Sequence, residues 1–128
     1  MDVKVPHEII NKYKIKLFIL FGSTGSKFER ENSDLDLAFL TENLISREKE
    51  YNLLEELMHF YKRSDIDLIN LRKADPLLKS KVSREGKVLF EKEGEFSNFQ
   101  LYAARVYADT KFLRRERQKF LEERVNKI

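Results

Sequence analysis

Cysteine is absent, histidine occurs twice, and no apolar run is longer than a strand. Without cysteine there is no disulfide, no thiol nucleophile and no thiolate zinc site. His7 and His59, the only imidazoles, are too few for a histidine-rich metal centre and read as surface or helix-face residues. The longest apolar run, Leu17 to Phe21, falls far short of the roughly 20 residues that a membrane helix needs. The opening MDVKVPHEII mixes charges early and lacks the apolar segment and cleavage site of a secretory signal, so a cytoplasmic location without membrane contact is expected. An excess of one sign of charge is missing too. Although 37% of residues are charged, the net charge is only +3, which gives a slight Lys/Arg surplus and no polybasic tract. Direct nucleic-acid binding is therefore not indicated, and Arg114, Arg115 and Arg117 read as a solvated helix face.

What remains is a chain of 128 residues, 41% of them hydrophobic, which is long enough for one domain with a real core. The stretch Phe21 to Leu40, FGSTGSKFERENSDLDLAFL, organises it. A strand ends at Phe21, Gly22 and Ser23 turn the chain, a polar loop follows, and a second strand opens with Asp34 and Asp36. Residues two apart on a strand share a side, so the two carboxylates project together while Leu35, Leu37 and Phe39 line the other face. Two like charges at that spacing repel unless a cation neutralises them, and a hard divalent ion such as Mg2+ does so while still holding phosphates. The pattern G-S-x10-D-x-D arises by chance in about one chain in a thousand of this length. Its placement between two strands, and a third acid on a separate strand, sharpen it. Two-metal phosphoryl transfer needs such a third ligand, and Asp67 supplies it, with the proton of the attacking hydroxyl as its further charge. Asp65 shares the face of Asp67 and is the rival candidate, read more simply as the edge of an exposed strand. At Gly22 the missing side chain lets backbone approach a phosphate, to which the Ser23 hydroxyl donates and Lys27 and Arg30 add charge.

Around this stretch the pattern predicts an α/β (α+β) domain. Pro6 begins a short helix with Ile9, Ile10 and Tyr13. Ile15 to Phe21, apolar on both faces except at Lys16, suits a strand at the centre of a sheet. Ser46 caps a helix running to about Lys62, with an apolar stripe of Tyr51, Leu54, Leu57, Met58 and Tyr61. Asp65 to Leu71 alternates as a third strand, Asp75-Pro76 opens a helix holding Leu77, Leu78 and Val82 that Gly86 closes, and Val88 to Phe90 is a last strand. Ser97 with Gln100 forms a capping box, and Phe96 with Leu101 a hydrophobic staple, for a helix from Asn98 to about Asn126. At 1.5 Å per residue that helix is roughly 43 Å long, so part of it must wrap around the body or protrude. Residues 1–94 then form the core and 95–128 a C-terminal helical extension of the same domain, suited to binding a partner.

The segments LFGSTGSKFERENSDLDLAFL, DIDLINL and GKVLFE resemble the minimal nucleotidyltransferases of the DNA polymerase beta superfamily, and more narrowly the MntA-type antitoxins encoded beside HEPN-domain toxins. The resemblance spans about Ile15 to Phe90. It implies a small mixed sheet flanked by helices, with Gly22 and Ser23 on the phosphate-binding pair, Asp34 and Asp36 on the metal-binding pair, and Asp67 on the third acid. It also implies ATP as substrate, two Mg2+ ions, and AMP transfer to a tyrosine hydroxyl near the RNase site of a HEPN partner, with pyrophosphate released. The chain departs from the family pattern at Gly25, Ser26 and Lys27, where members usually carry Ala-Arg-Gly; Lys27 replaces the charge but not a planar bidentate contact. Two other readings stand beside this one: a binding module that neutralises a HEPN partner by contact alone, and a nucleotidyltransferase for a small molecule or an RNA end.

Overall fold

The computed structural model describes residues 3–22 and 34–126. The elements run α1 (His7–Lys12), β1 (Ile15–Phe21), β2 (Leu35–Thr41), α2 (Arg47–Tyr61), β3 (Ile66–Asn70), α3 (Pro76–Glu85), β4 (Lys87–Glu91) and α4 (Glu95–Asn126). The four strands form one mixed sheet in the order β3-β2-β1-β4. β1 is antiparallel to both its neighbours, whereas β2 and β3 are parallel.

A strand that is apolar on both faces is stable only if both faces are covered. β1 meets that condition. Its Phe18 and Leu20 pack with Ile10 of α1 and Leu53 and Leu57 of α2, while Leu17, Ile19 and Phe21 pack with Val82 of α3 and Phe99 and Ala103 of α4. The sheet therefore carries α1 and α2 on one side and α3 and α4 on the other. No described helix is long and apolar enough to cross a membrane.

Local chemistry sets the helix ends. The Ser46 side chain accepts from the Lys49 N–H at 3.1 Å, and Asp75 accepts from the Leu78 N–H at 2.8 Å, so α2 and α3 start where their caps predict. Pro6 precedes the first turn of α1 instead of entering it. In α2 the buried pair is Leu53 and Leu57, and Tyr51, expected in the stripe, is 61% exposed. In α3, Leu77 is exposed and the buried residues are Lys79, Ser80, Val82 and Ser83, because α4 covers that flank. Gly86 closes α3 for a reason other than the left-handed cap expected of it: its φ is −71°. A Cβ there would stand 2.5 Å from Ile19 Cγ2 and 2.6 Å from the Val82 carbonyl, so only glycine lets α3 seat against β1.

The start of α4 also differs from expectation. The helix begins at Glu95, before Ser97, and the Gln100 side chain donates to the Ser83 carbonyl at 3.1 Å instead of reaching back to a cap. Phe96 packs into the core but Leu101 is 69% exposed, so the expected staple does not form. Glu95 instead pairs with Lys16 of β1 at 3.4 Å. Over its 32 residues α4 is roughly 48 Å long. Only Phe99 and Ala103 of its described side chains are buried, and the helix beyond them projects from the body.

Candidate active site

β1 ends and β2 and β3 begin at the same end of the sheet. Register then decides which side chains meet there. Phe21 pairs with Asp36, and Asp36 pairs with Asp67 on the parallel neighbour. Adjacent strands lie about 4.8 Å apart, so Asp36 and Asp67 stand side by side. Alternation puts both on the face of Ala38 and Ile69, the side covered by α3 and α4, while Leu35, Leu37 and Ile66 pack on the opposite side. Asp34 precedes β2 by one residue and lies two from Asp36.

Gly22 closes the corner. Its φ is +86°, and a Cβ placed there would lie 2.1 Å from Asp36 Oδ2. The backbone turn is thus pressed against the carboxylate, where a side chain has no room. Ser23, Lys27 and Arg30 lie outside the described residues.

Burial first, and then the charges of Asp67 and Asp34, raise the pKa of Asp36 above the ordinary aspartate value, while Lys81 of α3 opposes the shift. The three acids therefore share one electrostatic site. Among the described residues no three acidic or histidine side chains are placed so that they could hold a metal ion. The mutual repulsion of the three aspartates and their all-carboxylate chemistry are of the kind that a hard, oxygen-seeking cation such as Mg2+ offsets.

Asp65 is committed elsewhere. Arg63 donates to both of its oxygens, Nε to Oδ1 and Nη2 to Oδ2, each at 2.6 Å. That pairing holds its carboxyl below the usual range. Its main-chain carbonyl also accepts from the Leu35 N–H at 2.9 Å, which ties the starts of β2 and β3 together. Asp65 thus fixes the strands, and Asp67 is the acid of β3 that stands beside Asp36. A cavity of about 700 Å³ between Tyr13, Asn43 and Lys49 contains none of the three aspartates. His7 and His59 both border a different cleft, between α1 and α2.

Lys81 was not legible as a site residue. It lies in a segment, LLKSKVSRE, whose only signals are helical spacing and caps.

Residues 4–95 match the family described as polymerase beta, nucleotidyltransferase. The protein adenylyltransferase MntA of Shewanella oneidensis is 30% identical over 110 residues, covering 86% of this chain and 76% of the relative. The protein of the same name from Aphanizomenon flos-aquae is 35% identical, covering 67% of this chain and 64% of its own length. A chain in a crystal structure of a toxin-antitoxin with AMP-PNP superposes with a TM-score of 0.75 at 26% identity, covering 93% of this chain and 94% of that one. Another, in a structure of a tri-AMPylated Shewanella oneidensis HEPN toxin in complex with MNT antitoxin, gives 0.70 at 25% identity, covering 93% and 92%. With the fold and most of the length in common, the chain belongs to the polymerase beta nucleotidyltransferase family and, within it, to the MntA group.

Proposed function

We propose that this protein is an Mg2+-dependent adenylyltransferase of the cytoplasm that transfers AMP from ATP to a tyrosine hydroxyl of a HEPN-family RNase toxin and thereby silences it. The observation that carries the reading is the register that sets Asp36 beside Asp67, with the Gly22 turn against the Asp36 carboxylate. The named activity of the two MntA relatives, and the AMPylated toxin seen with a structural neighbour, support the choice of reaction and partner.

In this reading Asp34, Asp36 and Asp67 would hold two Mg2+ ions, which supply charge neutralisation and Lewis acidity at the phosphates. Gly22, with Ser23 and Lys27, orients the triphosphate. The acceptor oxygen attacks the α-phosphorus, its proton passes to Asp67, the bond to the bridging oxygen breaks, and pyrophosphate leaves. The new phosphodiester on the toxin adds bulk and negative charge where RNA must bind.

The decisive experiment incubates the protein with ATP, Mg2+ and the toxin encoded beside it, then weighs the toxin. An adenylyl increment together with loss of RNase activity is the expected result. Inhibition without any mass change would overturn transfer in favour of a contact-only binding module. Labelling of an RNA end or of a small hydroxyl compound, with the toxin unmodified, would assign another acceptor.

The projecting part of α4 is the surface offered to the toxin. Leu113 and Phe120, seven residues apart on one face of the helix, are 66% and 60% exposed. Exposed apolar side chains on a projecting helix suit a groove in a partner protein. Replacing both by glutamate is expected to weaken toxin binding at least tenfold in calorimetry while leaving ATP affinity within twofold. Unchanged toxin affinity would remove α4 from the interface.

A further inference from the structure

The surface of α3 facing away from α4 carries a cation toward the acid site. On α3, Lys79 Nζ lies 3.3 Å from the Tyr102 hydroxyl and the Ser83 carbonyl accepts from Gln100, so the flank of Lys79 and Ser83 faces α4. Val82, fully buried, and Gly86, pressed on Ile19, face the sheet. With 100° between successive residues, Leu78, Lys81 and Glu85 then fall on the third flank, turned from α4 and bordering the face on which the aspartates stand. Leu78 packs against the cluster that holds Ala38 and Ile69, which seats this flank on the aspartate face of the sheet. Lys81 is exposed, and it makes no ion pair with another described residue.

We infer that Lys81 grips the β- and γ-phosphates of ATP and carries the charge that develops on pyrophosphate as it leaves. The inference rests on the adenylyltransferase reading above. Three carboxylates and a triphosphate leave an excess of negative charge that divalent ions alone do not offset, and a flexible ammonium group at the rim meets it without competing for the α-phosphate. Among the described residues, Lys81 is a cation whose charge reaches the Asp36 carboxylate. In the step itself the acceptor oxygen bonds to the α-phosphorus, the bridging oxygen keeps the electron pair of the broken bond, and the Lys81 ammonium stabilises that oxygen's diphosphate without giving up its proton.

The test compares ATP and AMP. With Mg2+ present, Lys81→Ala is expected to bind ATP at least tenfold more weakly than wild type, to bind AMP within twofold of wild type, and to keep its melting temperature; Lys81→Arg restores most of the ATP affinity. Equal weakening for ATP and AMP would mean that Lys81 only balances the charge of Asp36, and ATP binding within twofold of wild type would remove it from the site; both overturn the inference. If wild type itself fails to bind ATP, the adenylyltransferase reading fails first, and this inference falls with it.

Discussion

Asp36→Asn is expected to abolish AMP transfer and, without metal, to yield a fold at least as stable as wild type. Asp36 is the acid against which the Gly22 turn closes and the one flanked by both other carboxylates. A metal ion supplies several kcal/mol of transition-state stabilisation, so losing a central ligand is expected to slow transfer by about 10³-fold or more. The stability effect has the opposite sign. Burial and the neighbouring acids raise the folded-state pKa of Asp36 above its unfolded value, so the folded protein binds more protons in the window between the two. Stability in a chelator therefore rises as pH falls through that window and is lower above it. Asparagine removes the penalty, and with it Asp36's part of this pH dependence. Adding Mg2+ reverses the order: an ion that binds only the folded state raises the melting temperature of wild type but raises that of Asp36→Asn much less. Rates from adenylyl incorporation and melting curves from pH 3 to 8, with and without Mg2+, check all three points. Equal Mg2+ stabilisation of both proteins, or more than a tenth of wild-type transfer by the variant, would show that Asp36 is no ligand.

Where local chemistry decides, the sequence could be read directly. IKLFILF can be stable only in the centre of a covered sheet, and β1 runs from Ile15 to Phe21 as predicted. Ser46 and Asp75 satisfy N–H groups three residues on, so their helices start where expected. The alternation of DLDL and DIDL fixed which acids share a face, and the strand register then set Asp36 beside Asp67. The misses share a different cause. Tyr51 and Leu53 both suit a helix, and only the position of the sheet selects Leu53 for burial. Ser97 has the chemistry of a cap, but the turn at Gly94 starts α4 three residues earlier than that cap would. Lys81 gains its meaning from α4, which occupies the opposite flank of α3, and a contact between helices leaves no periodic trace in either of them. Asp65 already reads in the sequence as the edge of a strand, and what the sequence does not show is the Arg63 that holds it.

Gly22→Ala is expected to cost more activity than stability, and Gly94→Ala serves as its internal control. Both glycines have left-handed backbones, with φ of +86° and +79°. An L residue in that region costs about 1–2 kcal/mol, so backbone strain alone predicts similar losses for the two variants. Their surroundings differ. Nothing lies within 4 Å of a Cβ at Gly94, whereas at Gly22 the new methyl would meet Asp36 Oδ2 at 2.1 Å and its Cγ at 3.0 Å. No carbon approaches an oxygen that closely, so either the carboxylate turns away from its place beside Asp67 or the turn moves. A displacement of that size disrupts the alignment on which transfer rates depend, where about 1 Å can cost 10²-fold. Gly94→Ala is therefore expected to lower the melting temperature by a few degrees and leave adenylyl transfer within twofold of wild type. Gly22→Ala should lower the melting temperature comparably and slow transfer by about 10²-fold, with weaker stabilisation by Mg2+. Retention of wild-type transfer in Gly22→Ala would mean that Asp36 works equally well when displaced, and the corner would then lose its assigned part in the chemistry.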